Sequence, residues 1–265
     1  MKKRLLLFLL TLLVCLPAMQ VVNAQSGISV EQARADYDFG QQITLRAKIQ
    51  ASQSISQAQA FLRASGENNT ISISASIDAD GNLSATHEIA NSRLRPFAQV
   101  DFWFRFSLAD GSTADSEVFQ FNYTDNRFEW QSLEEGNLHI HWYDGDLAFG
   151  QSALDTARNG LERASRLLSA NFSQPVDVYI YANSNDLKAT IDASGQAWVS
   201  GHASPDLRLA LVTITPGPEE ALNMERKIPH ELAHILTYEV SGERYQLLPM
   251  WLREGIATIS EVYPS

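Results

Sequence analysis

The sequence predicts a chain in two parts, an all-β sandwich followed by an α+β unit. Between Gln41 and about Thr124, apolar residues recur with a period near two and are punctuated by Gly, Asn, Asp and Ser, which is the pattern of short half-buried strands. After Asn126 the apolar spacing becomes helical and alternates with short strand-like runs, as in α+β units. The 265 residues are 45% hydrophobic and 19% charged, a composition typical of globular proteins and sufficient for two cores.

In the first part the predicted strands are Gln42 to Ile49, Ser56 to Arg63, Thr70 to Ile77, Leu83 to Ile89, Ala98 to Leu108 and Glu117 to Tyr123. Short strands at this density predict an immunoglobulin-like sandwich. Asp80-Gly81 and Asp110-Gly111 read as hairpin turns. The run Asp78 to Asn82 lacks the ligand ladder of a calcium loop, so a plain hairpin is expected there. Phe102, Phe104 and Phe106 read as alternating core positions.

The second part opens with a strand at Leu138 to Tyr143. A helix follows through Phe149, Ala153, Ala157, Leu161, Ala164, Leu168 and Phe172, with Ser152 as a cap near its start. Next come a strand at Val176 to Tyr181, a short helix at Asn185 to Ile191 and a strand at Leu207 to Ile214. Two helices, Glu219 to Val240 and Pro249 to Val262, complete the order. The expected organisation is therefore residues 1–24 as a leader, 25–125 as the sandwich and 126–265 as the α+β unit.

The leader is read from Lys2, Lys3 and Arg4 ahead of the apolar run Leu5 to Leu16, with Val22-Asn23-Ala24 offering a cleavage site. That run of about a dozen residues is short of the roughly 20 needed to span a bilayer. Export to the periplasm, cell surface or medium is expected, without stable membrane insertion after cleavage. The single cysteine, Cys15, lies in the leader, so neither disulfides nor cysteine-bound zinc are expected in the mature chain. With 20 Lys+Arg against 31 Asp+Glu, the net charge is −11. That balance disfavours sequence-independent nucleic-acid binding.

The chemistry concentrates in Ile228-Pro229-His230-Glu231-Leu232-Ala233-His234. Residues four apart share one helical face, so the two imidazoles can meet one ion while Glu231 reaches a water beside it. Two histidines and a glutamate in an apolar helix are costly to bury unless paired or metal-bound. A catalytic zinc needs a third protein ligand and an open position. No histidine follows His234 and no aspartate follows Asp206, leaving Glu239, Glu243, Glu254 and Glu261 downstream. Glu239 is turned away from the His face and Glu243 falls in the Gly242 turn. Glu254 lies on the next helix, which an antiparallel course can bring back to the metal.

His230-Glu231-x-x-His234 followed by Pro249-x-Trp251-Leu252-x-Glu254-Gly255-x-Ala257 resembles the gluzincin metallopeptidases, the thermolysin-like class, and in particular their peptidase MA-like domains. The resemblance implies that His230, His234 and Glu254 bind one Zn2+ and that Glu231 is the general base. It also implies a peptide or protein substrate, lying in extended form on a sheet edge at Leu207 to Ile214 that includes Leu209 and Leu211. Zinc held by two imidazoles and a carboxylate lowers the pKa of its water to about 7. Glu231 would take the proton as that water attacks the peptide carbonyl and pass it to the leaving amine.

The developing oxyanion needs a further donor, for which His202 and Tyr263 are the candidates. Thr258 stands where some gluzincins carry a supporting aspartate, and Trp251 and Leu252 read as packing residues. The absence of a GxMEN-type segment favours an endopeptidase over an aminopeptidase. Only a short tail follows Glu254, where a gluzincin continues into a helical lobe, so the metal site is expected in a domain that stops early. A non-catalytic or truncated zincin-like binding or adhesion protein is the alternative reading, and the intact Glu231 counts against it. The partner of the sandwich is left open by the sequence.

Overall fold

The computed structural model describes residues 27–194 and 201–263. The leader with Cys15, and the segment Trp198 to Ser200, lie outside the described residues.

The N-terminal region is a large curled antiparallel sheet. Its strands are β1 (Ile28–Asp38), β2 (Gln42–Ala51), β3 (Ile55–Ala64), β4 (Ile71–Ile77), β5 (Asn82–Glu88), β6 (Gln99–Leu108), β7 (Thr113–Asp115) and β8 (Phe119–Asn122). Their order is β1-β2-β5-β4-β3-β6-β7, with β8 also paired to β6. The start of β4 pairs with β3, Leu62 opposite Ile71, whereas its last two residues pair with β5, Ile77 opposite Leu83. The sheet therefore turns at β4 and encloses one core of Ile43, Leu45, Leu62, Leu83, Phe102, Phe104 and Phe106. These are the inward positions of the period-two pattern, and the three phenylalanines are 1%, 0% and 1% exposed.

The expected hairpin between β4 and β5 is present. The Asp78 carboxylate accepts from the Asp80 and Asn82 amides and the Asn82 side chain, and Gly81 takes a positive φ of 82°. A Cβ at Gly81 would lie 2.6 Å from the Ile49 carbonyl oxygen. Strand β1 is an addition to the expected set. Its register shifts between Glu31 and Arg34, a bulge that breaks the alternation by which edge strands are recognised.

The second region holds β9 (Gln131–Glu135), β10 (Leu138–Trp142), α1 (Leu147–Leu168), β11 (Val176–Tyr181), α2 (Ser184–Ser194), β12 (Gly201–Ser204), β13 (Leu209–Thr213), α3 (Glu220–Ser241) and α4 (Met250–Ser260). The sheet order is β12-β13-β11-β10-β9. The three central strands are parallel and both outer strands antiparallel. Strand β13 is thus internal, and Leu209 and Leu211 are buried at 3% exposure each. Among the described residues the outer strands of this sheet are β12 and β9, so Leu209 and Leu211 do not lie on the sheet edge expected for them; β12, which carries His202, lies outside them. The reason is that β12 adds one more antiparallel pairing, which the apolar run of β13 does not announce.

Helix α1 is capped by Asp146, whose carboxylate accepts from the Phe149 amide at 3.0 Å, rather than by Ser152, which sits within the first turns. One core joins α1, α3 and one face of the sheet through Ile140, Trp142, Ala157, Val178, Ile228 and Leu232. The other face meets α2 through Tyr181, Leu187, Ile191, Leu209 and Leu211.

Between the regions, Asp125 is fully buried. Its carboxylate accepts from Arg127 at 2.6 and 2.8 Å, from Tyr181 at 2.9 Å and from Thr190 at 2.9 Å, a charge satisfied as burial requires. A bidentate pair, Arg95 to Asp206 at 2.5 and 2.7 Å, adds a second tie. Among the described residues, no helix is long and apolar enough to cross a membrane.

Candidate metal centre

Helix α3 buries Met224, Ile228, Leu232, Ile235 and Leu236 against the sheet, positions at helical spacing that fix which way the adjacent His face points. Pro229 lies inside this helix and offers no N–H to the carbonyl four residues back. That orphaned acceptor, the Glu225 carbonyl, is satisfied by the Val262 amide at 2.9 Å. The chain after α4 is therefore drawn onto α3 by the gap the proline leaves. Arg163 on α1 also donates to the Glu261 carbonyl there. Close approach of α1 is set by Gly160, where a Cβ would fall 2.5 Å from the Pro229 Cβ.

His230, His234 and Glu254 come together, with one ligand atom from each lying within 4.8 Å of the others. Glu254 Oε2 is 3.4 Å from His230 Nε2 and 3.7 Å from His234 Nε2. The outer ring nitrogens are occupied. His230 Nδ1 meets Glu261 Oε1 at 3.0 Å, and His234 Nδ1 meets the Tyr245 hydroxyl at 3.1 Å. Such outer contacts fix the tautomer and leave both Nε2 atoms directed at one point. The two nitrogens and one oxygen form the donor set that suits zinc.

Glu231 is 8% exposed, and burial, with Glu254's charge second, pushes its carboxyl up to about 8. Burial and then the neighbouring His230 bring His234 down to about 4, so its imidazole is neutral and able to ligate. A carboxyl held this far from its ordinary range beside two histidines makes the group a candidate functional site, and a nearby cation would return it to the ionised form.

The trio opens onto a cleft of about 630 Å³, bordered by His202 and Ala203 of β12, by Arg226 and Lys227 of α3, and by Tyr245 and Arg253. Of the donor candidates, His202 reaches this border, while its Nε2 meets Ser204 Oγ at 3.2 Å. Tyr263 is not on the border; it is 56% exposed with Arg226 stacked over its ring at 5.5 Å. Trp251 is 74% exposed and so is not a packing residue. Glu239 is turned away as expected and pairs with Arg208 at 2.5 Å.

The sequence reading missed Glu261 as the partner of His230 and Tyr245 as the partner of His234. Glu261 follows Glu254 by two turns, one turn beyond Thr258, and Pro229 was the signal that the tail would fold back.

Helix α3 packs on the mixed sheet and α4 packs on α3, and the pair brings together a His-His-Glu group that could hold a metal ion. Residues 156–263 match the family model of the Peptidase MA superfamily, which supports the gluzincin-like resemblance of the motifs in this segment. No curated protein sequence matches the chain.

Among solved structures, OgpA from Akkermansia muciniphila is similar at 16% identity and a TM-score of 0.32, over 41% of this chain and 31% of its own. Purple acid phosphatase PPD1 from yellow lupin (Lupinus luteus) is similar at 10% identity and a TM-score of 0.31, over 78% of this chain and 40% of its own. The chain thus spans about a third of the length of OgpA.

Proposed function

We propose that the protein is an exported zinc-dependent peptidase that hydrolyses peptide bonds in an endopeptidase mode, with His230, His234 and Glu254 as metal ligands and Glu231 as general base. The observation that carries this reading is the convergence of three ligand atoms within 4.8 Å while both outer imidazole nitrogens are held elsewhere. A bound zinc would supply Lewis acidity, polarising a scissile carbonyl and acidifying water.

The chain's own residues supply the rest. Glu261 and Tyr245 hold the two rings in the ligating orientation. Glu231, one residue after His230 and shielded from bulk water, would hold a proton on its carboxylate and deliver it to the leaving amine. An extended peptide would lie along β12, an outer strand of the sheet among the described residues, whose His202 and Ala203 border the cleft. His202 on that strand is the candidate oxyanion donor.

In the same reading, residues 25–125 and 126–265 are separate domains after a 24-residue leader. The switch of β4 between β3 and β5 supports treating the curled sheet as an immunoglobulin-like sandwich. Elemental analysis of purified protein should give about one zinc per chain, lost in His230→Ala and Glu254→Ala. Protein without zinc at neutral pH would overturn the proposal.

A further inference from the structure

The cleft differs in charge from the rest of the molecule. Overall the chain is acidic, with 31 Asp+Glu against 20 Lys+Arg, yet three cationic side chains, Arg226, Lys227 and Arg253, border the metal trio. The three acids on the same border all have other work. Glu254 joins the ligand set, Glu261 holds His230, and Glu231 lies buried between the histidines.

Elsewhere several arginines are closed by a carboxylate: Arg95 with Asp206, Arg127 with Asp125, Arg158 with Glu135, Arg208 with Glu239. Arg226 and Arg253 have no such ion pair among the described residues. Their guanidinium groups lie over Tyr263 and Tyr245 at 5.5 and 5.0 Å. Their Nε atoms are covered from solvent without a hydrogen-bond partner. Lys227 donates to the Thr213 carbonyl at 2.7 Å and keeps further donor capacity.

Two guanidinium groups fixed on aromatic rings and unpaired with carboxylate form a ready receptor for one. Arg226 stands one helical turn before His230, and Arg253 directly precedes Glu254. They therefore approach the metal position from two helices.

We propose that the cleft selects peptides bearing a carboxylate close to the scissile bond, with Arg226 and Arg253 as the residues that determine the preference. This rests on the peptidase reading of the same site and names its substrate class. The carboxylate can belong to an Asp or Glu side chain, which fits the endopeptidase mode, or to the peptide's C-terminus, which would make cleavage exopeptidic; the recognising chemistry is the same.

The test uses the full chain and paired fluorescent peptides that differ only by Asp or Glu against Asn or Gln, each with a free or amidated C-terminus. Binding is measured by anisotropy on the Glu231→Gln protein, and kcat/KM on the wild type loaded with zinc. The acidic peptides should bind about tenfold more tightly than their amides, as a charge-assisted hydrogen bond implies, and lose that advantage as salt rises. Arg226→Gln and Arg253→Gln should each reduce the preference, while Arg226→Lys, which retains the charge, should keep most of it with metal content unchanged.

A response only to amidation would assign the recognised group to the terminus. Equal affinity for acidic and amide peptides, or a preference that survives loss of both arginines, would overturn the inference. Absence of zinc and of all hydrolysis would overturn the peptidase reading instead, and the binding arm would still decide the carboxylate preference.

Discussion

Replacing Glu231 by Gln in the metal-free protein isolates the cost of keeping a carboxyl at the bottom of this cleft. The group is 8% exposed and is raised from 4.5 to about 8, first by burial and then by Glu254. At about 1.36 kcal/mol per tenfold change in proton affinity, that displacement corresponds to on the order of 5 kcal/mol. The folded chain keeps a proton that the unfolded chain releases above pH 4.5. Stability therefore falls as pH rises from 4.5 toward 8 and levels off beyond it.

Glu231→Gln has no such proton to lose. Its stability relative to wild type should climb by several kcal/mol across the same window, whatever constant offset the amide introduces. His234, brought down to about 4, acts in the opposite sense, but it is present in both proteins and leaves the difference largely unchanged. Urea unfolding with a chelator present, followed by tryptophan fluorescence between pH 5 and pH 8, measures the difference directly. Saturating zinc should shrink it, because an adjacent cation favours the ionised carboxylate. A difference that stays constant with pH would refute the assignment of Glu231 as a buried, strained acid.

Two further outcomes follow from the packing around the site. Glu261→Ala and Tyr245→Phe should each weaken zinc affinity by about 10–100-fold, measured by competition with a chromogenic chelator, because each leaves one imidazole without its outer partner. Gly160→Ala should cost about 1–3 kcal/mol in thermal or urea unfolding, since its Cβ would fall 2.5 Å from the Pro229 Cβ. The displaced α3 should lower zinc affinity as well.

Much of this architecture was legible in the chain. The period-two run through Phe102, Phe104 and Phe106 announced a sheet face, because alternation is a local property of a half-buried strand. His230, Glu231 and His234 were legible for the same reason, since a four-residue spacing on one helix needs no tertiary information.

What was hidden depends on contacts between distant elements. That Leu209 and Leu211 sit inside the sheet follows from β12 adding beyond them, a pairing no local pattern reveals. Ser152 looked like a cap, yet Asp146 serves, because the helix begins a turn and a half earlier. Glu261 and Tyr245 reach the histidines only because the tail and the turn after α3 fold back. Of that return, only Pro229, with its missing amide, left a mark in the sequence.

The central claim is that this site binds zinc and uses Glu231 to move a proton. Hydrolysis of a diverse peptide pool by wild type and Glu231→Gln, with zinc content determined on the same samples, tests it most directly. The account predicts about one zinc per chain in both proteins and a loss of hydrolysis on the order of 10²–10⁴-fold in the variant. Equal hydrolysis by the two proteins at equal metal content would contradict it.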